Sequence, residues 1–364
     1  MLRRMLNANG IRRSRKLRIL VWSSLGLSAL TVTLLSAFLL KGLNFREPAL
    51  KKVWEAGFKE KVFTTDGTTV NYVEGPDNGL PLMLIHGQMG NWESYQLALP
   101  ELSRHFHVFA VDCHGHGKSS KNPDRYNVQA MGKDFADFIH QVIGGPAIIS
   151  GNSSGGLLAL WLAANSPKDV LAIVLEDPPL FASQYPRIKQ TGAWDGMTLA
   201  HDFLQHSSKD DFLDYYLLHA RIMNLFPMGF QKGMYFWARI YKSVHPESPV
   251  QFFFLPLSLR SFFSSMSMYD PHFGKTFYDG SWQKNFDHAK ALSRVKCPAV
   301  LIHAKWFYEN GILQGAMDAD DASKANSLMP NSKLKKVWSG HCVHIEDPGD
   351  FVNIVTDFGN RLKH

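Results

Sequence analysis

The chain has 364 residues, 45% of them hydrophobic and 20% charged, which is enough for a large buried core and carries no signature of disorder. Its formal charge of +7 is local: Arg3, Arg4, Arg12, Arg13, Arg15, Lys16 and Arg18 account for it, leaving 32 basic against 32 acidic residues in the rest of the chain. A balanced body with no dense Lys/Arg run excludes nucleic acid as a partner. Cys113, Cys297 and Cys342 are too few and too scattered for a disulfide framework or a zinc site.

In chain order, residues 1–18 form a basic segment, and Ile19 to Leu40 follow with no charged residue. That run is long enough to cross a hydrocarbon layer roughly 30 Å thick. The arginines before it place the N-terminus in the cytoplasm and the remainder outside a cell membrane, as a single-pass protein. A cleaved signal peptide followed by secretion is the less favoured reading, because the apolar run is long and no A-x-A-like site follows it. Residues 41–60 read as a linker.

Lys61–Phe63 and Thr68–Val73 are predicted strands around an Asp66-Gly67 hairpin turn. Leu82–Ile85, Val108–Val111, Ala147–Ile149 and Val170–Leu175 are further strands. Helical spacing lies between them over Trp92–Leu102, Tyr126–Val142 and Gly155–Ala164. The alternation predicts a mostly parallel α/β sheet covered on both faces. It breaks over residues 180–290, where helical stretches rich in aromatics and methionine take over, and it resumes with strands Ala299–His303 and Leu334–Trp338 and helices Asp320–Leu328 and Pro348–Leu362. The expectation is one α/β core, residues 61–179 and 291–364, interrupted by a helical cap over 180–290.

Gly151-Asn152-Ser153-Ser154-Gly155 is a G-x-S-x-G pattern after a strand and before a helix. Such a turn exposes a serine hydroxyl at the top of a sheet, where a histidine can activate it. Ligands in open α/β sheets bind beyond the carboxyl ends of strands. At such ends this chain places Gly87-Gln88, Ser153, Asp177 and His341.

HGQMGN at 86–91, DCHGHGKS at 112–119, GNSSG at 151–155 and GHCVHIEDP at 340–348 together resemble the landmark segments of the α/β-hydrolase superfamily, over about residues 60–364. The resemblance implies that Ser153 is the nucleophile and His341 the base. It also implies that the backbone N–H groups of Gln88 and Ser154 receive the oxyanion. A serine at the elbow argues against dehalogenase or epoxide hydrolase chemistry, whose similar enzymes carry aspartate there. His86 reads as structural and His344 as a packing or loop residue. His114 and His116 lack further groups at ligand spacing, so neither metal nor cofactor is expected.

The acid is divided between two residues. Most members of the superfamily carry it after the strand corresponding to Ala299–His303, where this chain offers only Glu309. A minority carry it one strand earlier, where Asp177 stands, and Asp177 is preferred. Asp318, Asp320 and Asp321 read as the cap and first turn of the next helix.

The apolar cap and the membrane anchor lead to a serine hydrolase of the carboxylesterase or lipase kind, acting on a small apolar ester through an acyl-enzyme. The alternatives are an aminopeptidase-like or carbon–carbon bond hydrolase with the same triad, or a non-catalytic binding module. A peptidase needs an acidic pocket, whereas Asp195, Asp202, Asp210, Asp211 and Asp214 read as solvated.

Overall fold

The computed structural model describes residues 2–206 and 211–362. The chain divides into two compact units, Met1–Arg46 and Glu47–His364. The first is a single helix, Leu2–Leu43, so the basic segment and the apolar run are continuous in secondary structure. The helix is long and apolar enough to cross a membrane. Its hydroxyls turn back on the helix itself: Ser24 Oγ donates to Leu20 O, Thr31 Oγ1 to Leu27 O and Thr33 Oγ1 to Ala29 O. Polar atoms satisfied within the helix can enter hydrocarbon at little cost.

The expected linker over 41–60 is shorter than read. Pro48–Glu55 is a helix, with proline in the first turn where its missing N–H costs nothing, and it buries Ala49 and Val53. Trp54 meets Trp92 edge-on at 5.5 Å between ring centroids.

Among its described residues the second unit has ten strands: β1 (Lys59–Thr65), β2 (Thr68–Glu74), β3 (Leu80–Ile85), β4 (Phe106–Val111), β5 (Ala147–Asn152), β6 (Val170–Glu176), β7 (Ala299–His303), β8 (Phe307–Glu309), β9 (Ile312–Gln314) and β10 (Ser332–Lys336). Eight of them form one sheet in the order β1-β2-β4-β3-β5-β6-β7-β10, while β8 and β9 form a separate hairpin. β2 runs antiparallel to both its neighbours and the rest are parallel. The β1–β2 turn is the predicted one: Asp66 and Gly67 both take positive φ, 44° and 74°, matching the twist of a tight hairpin. β10 begins two residues earlier than the apolar run indicates. It is an edge strand whose Lys333, Lys335 and Lys336 face outward, which protects the open edge from pairing.

Two predicted helices are interrupted. Trp92–Leu102 splits into a 3₁₀ turn at Trp92–Tyr95 and a short helix at Leu99–Leu102. Asp112 pins the start by accepting from the Trp92 N–H at 2.8 Å, and Pro100, which has no N–H to donate back to Gln96, lies instead in the first turn of the second helix. The predicted Tyr126–Val142 helix starts at Val128 instead, because the Asn127 side chain caps it through the Ala130 N–H. It passes into a wider π-helical turn, Ile139–Ile143, ending at Gly144 with φ 78°.

Between β6 and β7 lie the inserted helices Ala193–Gln205, Phe212–His219, Met228–Val244, Leu257–Met266, Pro271–Tyr278 and His288–Arg294. One expectation about them is corrected. Asp214 is buried and faces Arg239 at 3.4 Å, because it lies on the packed side of its helix. Asp211 caps the same helix and pairs with Lys242, and Asp195 lies 3.3 Å from Arg221. Asp210 lies outside the described residues.

The core gathers Leu82, Leu84, Val108, Ile148, Val174 and Ile302 from the central strands with Phe351, Val355 and Phe358 from the last helix, Pro348–Arg361. Ser154–Asn165 is buried from Ser154 through Ala163, which explains its apolar surface on every side.

Candidate active site

Ser153 sits between β5 and the Ser154–Asn165 helix with φ 53° and ψ −120°, a conformation that costs an L-residue of order 1–3 kcal/mol. The surrounding packing enforces it. A Cβ at Gly151 would come within 2.2 Å of Gly155 O, and one at Gly155 within 2.2 Å of Ile85 O. Both glycines are therefore required by close backbone approach. The Ser153 N–H donates to Glu176 O at 3.0 Å, tying the turn to the end of β6.

His341 stands in the loop after β10, its side chain 40% exposed, and its Nδ1 lies 2.7 Å from Asp177 Oδ2. Asp177 follows β6 directly, is buried, and takes φ 44°. Its N–H donates to Ile302 O at 2.9 Å, and its Oδ1 accepts the Ala304 N–H at 3.1 Å. The end of β7 thus supplies backbone groups that aim the carboxylate, leaving Oδ2 for the imidazole. Burial lowers the His341 pKa, but the hydrogen bond and charge of Asp177 outweigh it, with Glu176 and Glu346 adding to them, so the pKa is raised above the ordinary value. Glu309 is placed elsewhere: it is exposed on the β8–β9 hairpin, while Nδ1 of His341 is already engaged.

The loop after β3 lies against the serine. A Cβ at Gly87 would meet Ser153 Cβ at 2.9 Å and Asn152 Oδ1 at 2.8 Å. Gln88 follows, its side-chain Nε2 donating to Tyr269 Oη at 2.8 Å. Met89 takes φ 61°, held by its N–H donating to His116 Nε2 at 3.2 Å. His86 accepts the Cys113 N–H at Nε2, 2.9 Å, and turns Nδ1 onto Gly87 O at 2.7 Å. Burial pushes the His86 pKa down to about 4 and His116 well below its ordinary value, so both are neutral braces of this loop. Ser154 opens its helix, where an N–H has no intrahelical acceptor. Gln88 and Ser154 are thus brought beside Ser153 from two elements, the first through Gly87 and the second as its chain neighbour.

Three contacts at this site escaped the sequence reading. Asn152 Nδ2 donates to His341 O at 3.0 Å, a direct link between the elbow and the histidine loop. Glu176 and His344 form a buried pair: His344 Nδ1 lies 2.8 Å from Oε1, which also accepts the His344 N–H at 3.0 Å. The imidazole stacks on Tyr95 at 4.2 Å, so His344 is a buried packing residue, in the short helix Val343–Glu346, that also holds Glu176. His116 is the third. The run HGHG at 114–117 was a visible signal, but its partner at Met89 was not. His114 instead meets Asp134 at 2.8 Å, and Asp134 in turn pairs with Arg125. Burial and neighbouring carboxylates push the Cys342 thiol well up, away from thiolate. Among the described residues no His/Cys/Asp/Glu group could hold a metal ion. A polar groove of about 1070 Å³, lined by Tyr126, Gln129, Trp161, Gln184 and Lys284 among others, does not include Ser153, Asp177 or His341.

Comparisons with known proteins agree with this architecture. The family model described as "Alpha/beta hydrolase family" matches residues 82–354. A 2-hydroxy-6-oxo-6-(2'-aminophenyl)hexa-2,4-dienoic acid hydrolase of Metapseudomonas resinovorans is 32% identical over 128 residues, covering 33% of this chain and 43% of that protein. The AB hydrolase superfamily protein YisY of Bacillus subtilis is 24% identical over 293 residues, covering 79% of this chain and 95% of its own. The chain thus spans less than half the length of the first of these relatives and nearly all of the second. Among solved structures, a membrane phospholipase A described as a bacterial virulence factor superposes with TM-score 0.62 at 20% identity, covering 95% of this chain and 99% of the other. With the sheet order, the strained serine turn and a family match over more than half its length, the chain belongs to the α/β hydrolase family.

Proposed function

We propose that the protein is a membrane-anchored serine hydrolase that cleaves a small apolar carboxylic ester through a covalent acyl-enzyme. The observation that carries the proposal is the 2.7 Å Asp177–His341 hydrogen bond in a loop tied by Asn152 to the strained Ser153 turn. In this reading Asp177 fixes the proton on Nδ1, leaving Nε2 of His341 to take the Ser153 proton. Ser153 Oγ attacks the ester carbonyl, and the oxyanion is received by the N–H groups of Gln88 and Ser154. His341 then protonates the departing alcohol. Water, deprotonated by the same nitrogen, releases the acid and restores Ser153.

Apolarity of the substrate is supported by what the inserted helices bring to the loop after β3. Tyr269 and Phe273 both contact His116, and Tyr269 holds Gln88. The helix Leu2–Leu43 supports the anchor, and the likeness to a membrane phospholipase A favours a lipid-like ester. Among the described residues Asp195, Asp211 and Asp214 are paired with cations, which weighs against their receiving a peptide's amine. A second reading, carbon–carbon bond hydrolysis by the same triad, is favoured by the 32% identity to the dienoic acid hydrolase.

The test is labelling of the full-length protein with a fluorophosphonate, followed by mapping of the adduct. Modification at Ser153 that disappears in Ser153→Ala is the expected result. An intact, folded protein that takes no label at Ser153 would refute the proposal and leave a binding module.

A further inference from the structure

The helix Met228–Val244 is apolar on two faces. Met234, Trp237, Ala238 and Tyr241 are buried against the rest of the unit. Beside this buried face Phe236, Ile240 and Val244 recur at four-residue spacing and are exposed, Phe236 by 61%. Ile222 and Leu225, in the 3₁₀ turn Arg221–Leu225 before the helix, and Met228, its first residue, are exposed as well, Leu225 by 81%. Soluble monomers rarely leave so many neighbouring large apolar side chains in water. Along the flank of the stripe lie Lys232 and Arg239; the helix contains three basic residues and no acid, with Arg239 facing the buried Asp214 and Lys242 paired with Asp211. An apolar stripe edged by cations suits the headgroup region of a bilayer.

A tether gives the same patch a location. Glu47, the first residue of the second unit, follows Leu43, the last residue of the apolar helix, after only Asn44, Phe45 and Arg46. Its carboxylate is gripped by Arg260, Nε to Oε2 at 2.8 Å and a terminal nitrogen to Oε1 at 3.2 Å, and Arg260 also donates to Leu255 O. Phe254, beside Leu255, packs edge-on against Phe230 and Trp237 of the Met228–Val244 helix. The point at which the chain enters the second unit is thus a few contacts from the exposed stripe, through the inserted helices and not through the sheet.

We propose that the exposed face of Met228–Val244 docks on the lipid bilayer spanned by the N-terminal helix, with Phe236, Ile240 and Val244 at the boundary of headgroups and acyl chains. This rests on reading Leu2–Leu43 as membrane-spanning. Docking of this face turns the inserted helices toward the lipid.

The experiment uses full-length protein in vesicles of mixed neutral and anionic phospholipid, with photoreactive benzoylphenylalanine in place of Phe236 or, as control, in place of Lys335 on β10. Irradiation is expected to give lipid adducts at position 236 at least about fivefold more often than at 335. Equal yields, or a crosslink of doubled mass showing a second copy on this face, would overturn the proposal. Alkaline carbonate extraction of the same vesicles tests the anchor by itself, because an anchored chain stays with the lipid whatever position 236 touches. The double variant Phe236→Asp/Ile240→Asp is expected to lose about tenfold in turnover of a vesicle-borne long-chain ester while a soluble short-chain ester is hydrolysed within about twofold of normal. Equal effects on both substrates would mean that the face serves the fold and not the membrane.

Discussion

The arrangement of single residues around His341 favours one of the two candidate carboxylates. Asp177 is held by backbone groups of Ile302 and Ala304 and meets His341 at 2.7 Å, whereas Glu309 is exposed on a hairpin. Asp177→Asn is therefore expected to lower kcat by about 10³–10⁴-fold, and Glu309→Gln to leave it within about twofold, on a soluble aryl ester. A large loss in the glutamate variant alone would reverse the assignment. The raised pKa of His341 has a direction in the pH profile. In the proposed mechanism His341 acts as base only when neutral, so activity is expected to fall as pH drops through its pKa, and a raised value puts that fall above the ~6.5 of a free imidazole. Loss of the Asp177 charge is expected to move the acidic limb to lower pH, read from kcat/KM of the residual activity. Ser153, Asp177 and His341 were legible as residues because each stands just beyond a strand. Asn152, His116 and Glu176 were not, because their partners at His341, Met89 and His344 become neighbours only once sheet order is known.

At the scale of elements, the elbow depends on how closely the Ser154–Asn165 helix approaches β3. A methyl group at Gly155 would overlap the carbonyl oxygens of Ile85 and His86, at 2.2 and 2.6 Å, and rigid strand backbone cannot yield. Gly155→Ala is expected to destabilise the protein by about 3 kcal/mol, measured as a shift of the urea midpoint, with loss of activity. A variant of unchanged midpoint would mean that the turn is looser than described. Strands β3 to β7 could be read in sequence because both their faces are buried and their apolar runs are continuous. β10 was displaced by two residues because an edge strand with three lysines has no such run. The Trp92–Leu102 segment looked helical by spacing, but a tertiary hydrogen bond from the Trp92 N–H to Asp112 fixes its start and a proline without an N–H divides it.

At the scale of the molecule, two compact units are joined through Glu47, which is clamped to the inserted helices by Arg260. Composition showed that residues 180–290 are aromatic, but it could not show which aromatics pack inward and which face out, since both kinds share one helix at Met228–Val244. What unites the scales is the claim that Ser153 becomes acylated. The most direct test is brief incubation of the full-length protein with a short aryl ester, acid quenching, and peptide mass measurement. An acyl group on the peptide containing Ser153, absent from Ser153→Ala, is the expected result. Ester turnover with no acyl group on that peptide, or with the acyl group on Cys342, would contradict it.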